Sequence, residues 1–247
     1  QAMSTTVNLN SIWNSKTPQR RFWNLFLFWK SLPKKQAKIP TPKHITQNCK
    51  GLELQKNKIK TILYSTDLAL IENNDADALL AVYPFPPSIQ IIKTLIEFSN
   101  RPVICGIGGG MTQGEHAIEI ALQAQKYGAA AVIVNQPFKN EDIAKLKQQV
   151  SIPIISSVST LNFDFDQRIQ AGVSCFNVTG GPNTVAIVEH LQRNYPDFPI
   201  ISTGGKTFDS LHSIVNKKIS AVILTPPSNA ELFRSIGISV LVNVPIV

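Results

Sequence analysis

The chain has 247 residues, 43% apolar and 16% charged, which suits one large globular core and excludes a disordered or low-complexity protein. Its three cysteines, Cys49, Cys105 and Cys175, lie far apart without CxxC spacing, so neither a disulfide framework nor a zinc knuckle is expected, and a reducing, cytoplasmic setting is. The net charge of +8 is uneven: residues 1–60 hold 12 Lys/Arg against Glu53 alone, while residues 61–247 hold 12 Lys/Arg against 15 Asp/Glu. The basicity therefore belongs to an N-terminal extension, and the remainder does not read as a nucleic-acid binder.

Within the extension, residues 20–32 place Phe22, Leu25, Phe26 and Trp29 on one helical face, widened by Trp23, Leu27 and Phe28. A helix this apolar must be covered, and it is too short to span a bilayer. Packing against the rest of the protein or a second copy is the expectation; a membrane or nucleic-acid partner is not. Residues 33–60, with Pro40 and Pro42, read as a basic, extended linker. The chain thus divides into an extension over 1–60 and a folded unit over 61–247.

Eight short apolar runs follow, at 61–66, 79–83, 102–107, 130–135, 153–157, 174–179, 199–203 and 221–225. The first intervening segment has room only for a short helix; the others hold full ones. Thr112 and Glu115 have capping-box spacing before a helix ending at Tyr127, with Gly128 as its left-handed stop. Asn140 is placed to cap a helix over 141–149. Thr184–Asn194 and Phe208–Asn216 carry apolar residues at helical spacing, and Ser228 with Glu231 forms a second capping box. Eight β–α units in series predict a closed (β/α)₈ barrel, an α/β fold whose chemistry sits at the C-terminal ends of the strands. The apolar tail, 238–247, calls for a cover, and together with 20–32 it suggests a homo-oligomer.

Three loops at those strand ends stand out: Gly106-Ile-Gly-Gly-Gly110, Thr179-Gly-Gly-Pro182 and Thr203-Gly-Gly-Lys-Thr207. Glycine lets backbone approach a ligand closely, and a helix start offers unpaired N–H groups to an anion. Gly204 and Gly205 fall where barrels of this kind hold phosphate, with Lys206 as a nearby cation and Ser228 at the adjacent helix start. The glycines equally serve tight turns, and Pro226-Pro227 removes two donors from the same corner.

From 102 to 225 the loop order resembles the phosphate-binding barrels, above all the ketodeoxyphosphogluconate aldolase group. The matching pieces are Gly106-Ile-Gly-Gly-Gly-Met-Thr112, Ile152-Pro-Ile-Ile-Ser-Ser-Val-Ser-Thr160, Gly180-Gly181 and Ser202-Thr-Gly-Gly205. The resemblance implies a phosphate held by Gly180, Gly181, Gly204 and Gly205. That group also uses a sixth-strand lysine as a Schiff-base nucleophile and a second-strand glutamate. Here those strands read Ser174-Cys-Phe-Asn-Val-Thr179 and Leu79-Leu-Ala-Val-Tyr83, without lysine or acid. Aldolase chemistry does not carry over.

Candidate chemistry is sparse. Asp67 is the one carboxylate directly after a strand, so it is either a general base or a helix cap. Lys206 is a phosphate ligand or, if desolvated, an acid/base or amine nucleophile, the first being the expectation. Tyr83, Asn135, Asn177 and Thr203 can orient a substrate. No HxH, HExxH or GxSxG occurs, so neither a metal site nor a serine-hydrolase arrangement is expected. The sequence thus predicts a barrel that binds a small phosphorylated metabolite without a cofactor, acting as a lyase or isomerase. A non-catalytic sensor or scaffold, a hydrolase with an unrecognised site, and a flavin mononucleotide barrel are the alternatives.

Overall fold

A run such as Ala131-Val-Ile-Val134 is apolar on both faces, and such a strand is stable only where both faces are covered. The structure, a computed structural model describing residues 39, 41–203 and 208–234, covers eight of them by closing a barrel. A short hairpin comes first, β1 (Leu52–Leu54) and β2 (Asn57–Ile59). The barrel strands are β3 (Thr61–Tyr64), β4 (Ala78–Ala81), β5 (Val103–Gly108), β6 (Ala131–Val134), β7 (Ile154–Val158), β8 (Cys175–Val178), β9 (Ile200–Thr203) and β10 (Ala221–Leu224). All neighbours run parallel, and β10 closes onto β3 with Ile223 opposite Ile62.

The described helices are α1 (Lys43–Thr46), α2 (Leu68–Glu72), α3 (Ile89–Phe98), α4 (Gly114–Tyr127), α5 (Asn140–Gln149), α6 (Phe165–Gln170), α7 (Thr184–Asn194) and α8 (Phe208–Asn216); residues 229–234 are also helical. Outward strand residues such as Leu79, Cys105, Val132 and Phe176 pack with Ile92, Ala121, Leu146 and Ile187 of the helices. Inward residues form a second core: Ile62, Ala78, Leu80, Ile104, Ala131, Ile133, Ile155, Cys175, Ile201, Ala221 and Ile223. The buried thiols of Cys105 and Cys175 are pushed up to about 12 by desolvation, so they act as apolar filling.

The expected linker is structured over 41–59. Leu52, Leu54 and Ile59 of the hairpin join the inner core, and Lys50 and Gly51 donate their N–H groups to the carbonyls of Ile219 and Ser220 beside β10. The hairpin therefore plugs the floor of the barrel, a role its lysine-rich composition hides. At the thin wall beside the five-residue α2, Ile39 pairs with Asn74 in a parallel bridge, and Arg101 donates to the carbonyls of Ile71, Asn74 and Ala76. The Trp/Phe segment 20–32, expected to pack against the rest of the protein or a second copy, and the tail 238–247 lie outside the described residues.

Two expected caps are not made. Helix α4 starts at Gly114 after Gln113, without a side-chain cap from Thr112. Helix α5 begins one residue early, so Asn140 lies inside it with its Oδ1 buried and without a partner among the described residues. The cap at Ser228 is formed: Glu231 Oε2 accepts from both Ser228 N and Ser228 Oγ at 2.8 Å. Gly128 stops α4 at φ +101°. Among the described residues no helix is long and apolar enough to cross a membrane.

Candidate functional site

Strands of period two that bury one face toward the axis must present their last inward residue at the mouth. A cavity of about 720 Å³ opens there, and every barrel strand or the loop after it contributes to its wall. The inward residues Tyr64, Val82, Gly106, Ile133, Ser157, Asn177, Thr203 and Ile223 form its floor and sides. Tyr83, Asn135, Gln136, Ser159, Thr179, Gly180 and Gly181 stand higher, at the rim. The two tyrosines are the titratable side chains of this wall; the described lining has no carboxylate, lysine, arginine, histidine or cysteine.

The polar groups differ in how far they are already engaged. Tyr83 Oη accepts from Ser88 N at 2.7 Å and so anchors the start of α3. Tyr64 is half-buried, its hydroxyl makes no hydrogen bond among the described residues, and desolvation raises its pKa, so it stays a neutral donor. Asn177 is 4% exposed; its Nδ2 donates to Ser157 Oγ at 3.1 Å, and its Oδ1 has no partner among the described residues. Thr203 is buried one strand away, at 9%.

The loops are held by specific contacts. Gly109 N donates to Thr112 O at 2.9 Å in a tight turn at φ +105°. A Cβ at Gly109 would lie 2.6 Å from Asn135 N, so only glycine lets this loop rest on the end of β6. Gln136 Oε1 accepts from Ser159 N at 2.8 Å and Ser159 Oγ at 2.9 Å, tying the loop after β6 to the loop after β7. Behind them, Arg168 of α6 is 3% exposed and donates to Phe138 O and Gln136 O, each at 2.7 Å. Its guanidinium lies 5.0 Å over the Phe163 ring and pairs with no carboxylate among the described residues; burial lowers its pKa. Sequence reasoning missed Arg168, because nothing in Asp166-Gln-Arg-Ile marks an arginine that turns inward. It also missed Tyr64, although period two from Ile62 points to it.

The sequence-derived candidates separate in space. Tyr83, Asn135, Asn177, Thr203, Gly180 and Gly181 share the cavity wall. Asp67 does not line it: Oδ1 accepts from Ala69 N and Leu70 N as the cap of α2, and Oδ2 accepts from Asn229 Nδ2 at 2.6 Å. The Ser228 hydroxyl and N–H face the Glu231 carboxylate. Gly204, Gly205 and Lys206 lie outside the described residues. Among the described residues no group of three His, Cys, Asp or Glu is placed to hold a metal ion.

No family model matches this chain. A 4-hydroxy-tetrahydrodipicolinate synthase of Chlorobium limicola is 31% identical over 74 residues, 27% of this chain and 25% of that protein; the enzyme of the same description from Chlorobium chlorochromatii gives 31% over 75 residues with the same coverage. The chain thus matches about a quarter of the length of these curated relatives. Among solved structures, phosphoenolpyruvate phosphomutase from Streptomyces platensis subsp. rosaceus superposes with a TM-score of 0.54 at 13% identity, covering 75% of this chain and 81% of that one. Dihydrodipicolinate synthase from Aquifex aeolicus gives 0.52 at 20%, covering 68% and 69%. At these identities the likeness establishes the barrel. It does not reach the aldolase-specific features of the sequence resemblance.

Proposed function

We propose that the mouth of the barrel binds a small phosphorylated metabolite, with the phosphate over the loops after β8 and β9 and the carbon end among the neutral groups below. The observation that carries this reading is the character of the wall: hydrogen-bonding groups surround the cavity and no described carboxylate faces it, so an anion meets donors without repulsion. The Gly180-Gly181 loop feeds α7, and Lys206 is the proposed cation of the neighbouring loop. The likeness to a phosphoenolpyruvate phosphomutase and a dihydrodipicolinate synthase supports a lyase- or mutase-type barrel. Strand β8 lacks the lysine that the ketodeoxyphosphogluconate aldolase group uses there, so the chemistry proposed is one without a Schiff base. Both Asp67 oxygens are engaged, so Asp67 is given a structural role here.

A second reading, a non-catalytic sensor, draws on the same wall: among its described residues the titratable side chains are two tyrosines, a poor set for proton transfer near neutral pH. A thermal-shift screen of inorganic phosphate, sugar phosphates and flavin mononucleotide tests binding, since a ligand of the folded state raises Tm. A shift with one phosphorylated class that is lost in Lys206→Ala supports the proposal; no shift with any phosphate refutes it. Turnover of the bound class separates enzyme from sensor. Self-association through 20–32 and the tail is part of the same proposal, and light scattering on the full chain reads it directly.

A further inference from the structure

We infer that the ligand of this mouth carries a hydroxyl that pairs with the Asn177 amide, which makes its class a sugar or polyol phosphate rather than a bare or alkyl phosphate. The inference rests on the phosphate reading above for the anionic end and on Asn177 alone for the other.

Asn177 sits on β8 opposite Ser157 of β7 and Ile201 of β9. Its side chain is more than nine-tenths buried and belongs to the cavity wall. Ser157 Oγ satisfies the amide nitrogen, and nothing among the described residues satisfies Oδ1. A buried amide oxygen without a donor is rare, because it forfeits its water without replacement. Among the described residues the other hydroxyls of the floor do not serve it: Tyr64 and Thr203 make no side-chain hydrogen bond there. An apolar residue of the same size would remove the deficit, yet the chain places an amide there.

The missing partner is thus an external one that reaches the floor. If the amide is turned over, the Ser157 hydroxyl donates to Oδ1 and the nitrogen is left needing an acceptor. A hydroxyl is both donor and acceptor, so it satisfies either orientation. The Gly180-Gly181 rim lies three and four residues further along the chain, past the end of β8 at Val178, so it stands no more than roughly 10 Å above Asn177 at ~3.3 Å per residue. A molecule joining both ends is several carbons long, with the phosphate at one end and hydroxyls at the other.

The test is titration calorimetry on the full chain with matched pairs: glycerol 3-phosphate against propyl phosphate, D-ribose 5-phosphate against pentyl phosphate, and D-glucose 6-phosphate against hexyl phosphate. At least one hydroxylated member should bind about tenfold or more tighter than its alkyl partner, the worth of one buried hydrogen bond. In Asn177→Leu that preference should vanish while Tm is held or raised. Equal binding within every pair, a preference unchanged in Asn177→Leu, or no binding by any probe overturns the inference. The wild-type comparison stands even if the variant fails to fold. If glycerol or a free sugar binds with the same Asn177 dependence and the phosphate adds nothing, the Asn177 assignment holds and the phosphate reading falls.

Discussion

Replacing Arg168 by Met removes the one described side chain that holds both Gln136 and Phe138 by their carbonyls. Met keeps most of the buried aliphatic stem, so the change isolates the guanidinium. Two hydrogen bonds from a charged donor are worth about 1.5–3 kcal/mol each. Against them stands the cost of keeping a guanidinium buried without a counter-charge, which the variant relieves. Loss of the contact over Phe163 adds about 1 kcal/mol. The net expectation is a destabilisation of about 2–4 kcal/mol, which lowers Tm by roughly 4–16 °C for a protein of this size. Urea unfolding followed by circular dichroism measures it, with an unchanged m-value as the check that the denatured state is not altered. Arg168→Lys should recover less than half, because one ammonium cannot reproduce the two-pronged geometry. Stability of Arg168→Met within about 0.5 kcal/mol of wild type would refute the reasoning, since it would mean that both carbonyls find equivalent partners without the guanidinium.

Gly109→Ala forces a Cβ against Asn135 N at a left-handed φ and should cost about 2 kcal/mol or more while weakening any ligand held at the mouth, both visible in one thermal-shift series. Asp67→Ala should lose about 1 kcal/mol through the α2 cap and Asp67→Asn less; if the barrel has turnover, Asp67→Asn should leave it intact, and its abolition would show that Asp67 is more than a cap. Cys105 and Cys175 have folded pKa values raised to about 12 from 9.0, so the stability they confer is complete below pH 9 and is lost as pH rises toward 12. Stability should therefore fall between pH 9 and 11 by up to about 1.4 kcal/mol per pH unit per thiol, and Cys175→Val should flatten the slope; an unchanged slope would show that Cys175 is not the titrating group. The buried thiols should also resist a thiol reagent in the folded state and react once the chain is unfolded.

The eight barrel strands are legible in the sequence because a strand buried on both faces has to be a continuous apolar run, and in 131–134 or 221–224 no other reading fits between the flanking helices. Strand count and alternation together also bring Tyr83, Asn135, Asn177 and Thr203 to one mouth, since closure brings the C-terminal strand ends together. Local chemistry is legible where it is self-contained, as in the Ser228–Glu231 cap and the left-handed stop at Gly128. The rest depends on contacts between residues distant in sequence. The floor plug at Leu52, Leu54 and Ile59 is concealed by surrounding lysines and is defined only by the barrel it fills. The carboxylate of Asp67 could face the mouth or a helix start, and an asparagine 162 residues away helps hold it on the latter. Arg168 looks like a surface charge until Phe163 and the carbonyls of Gln136 and Phe138 enclose it. That Asn177 has one satisfied and one unsatisfied amide atom follows from the position of Ser157 across the strand pair, since period and composition assign a residue to a face and tertiary packing alone decides which of its atoms find a partner.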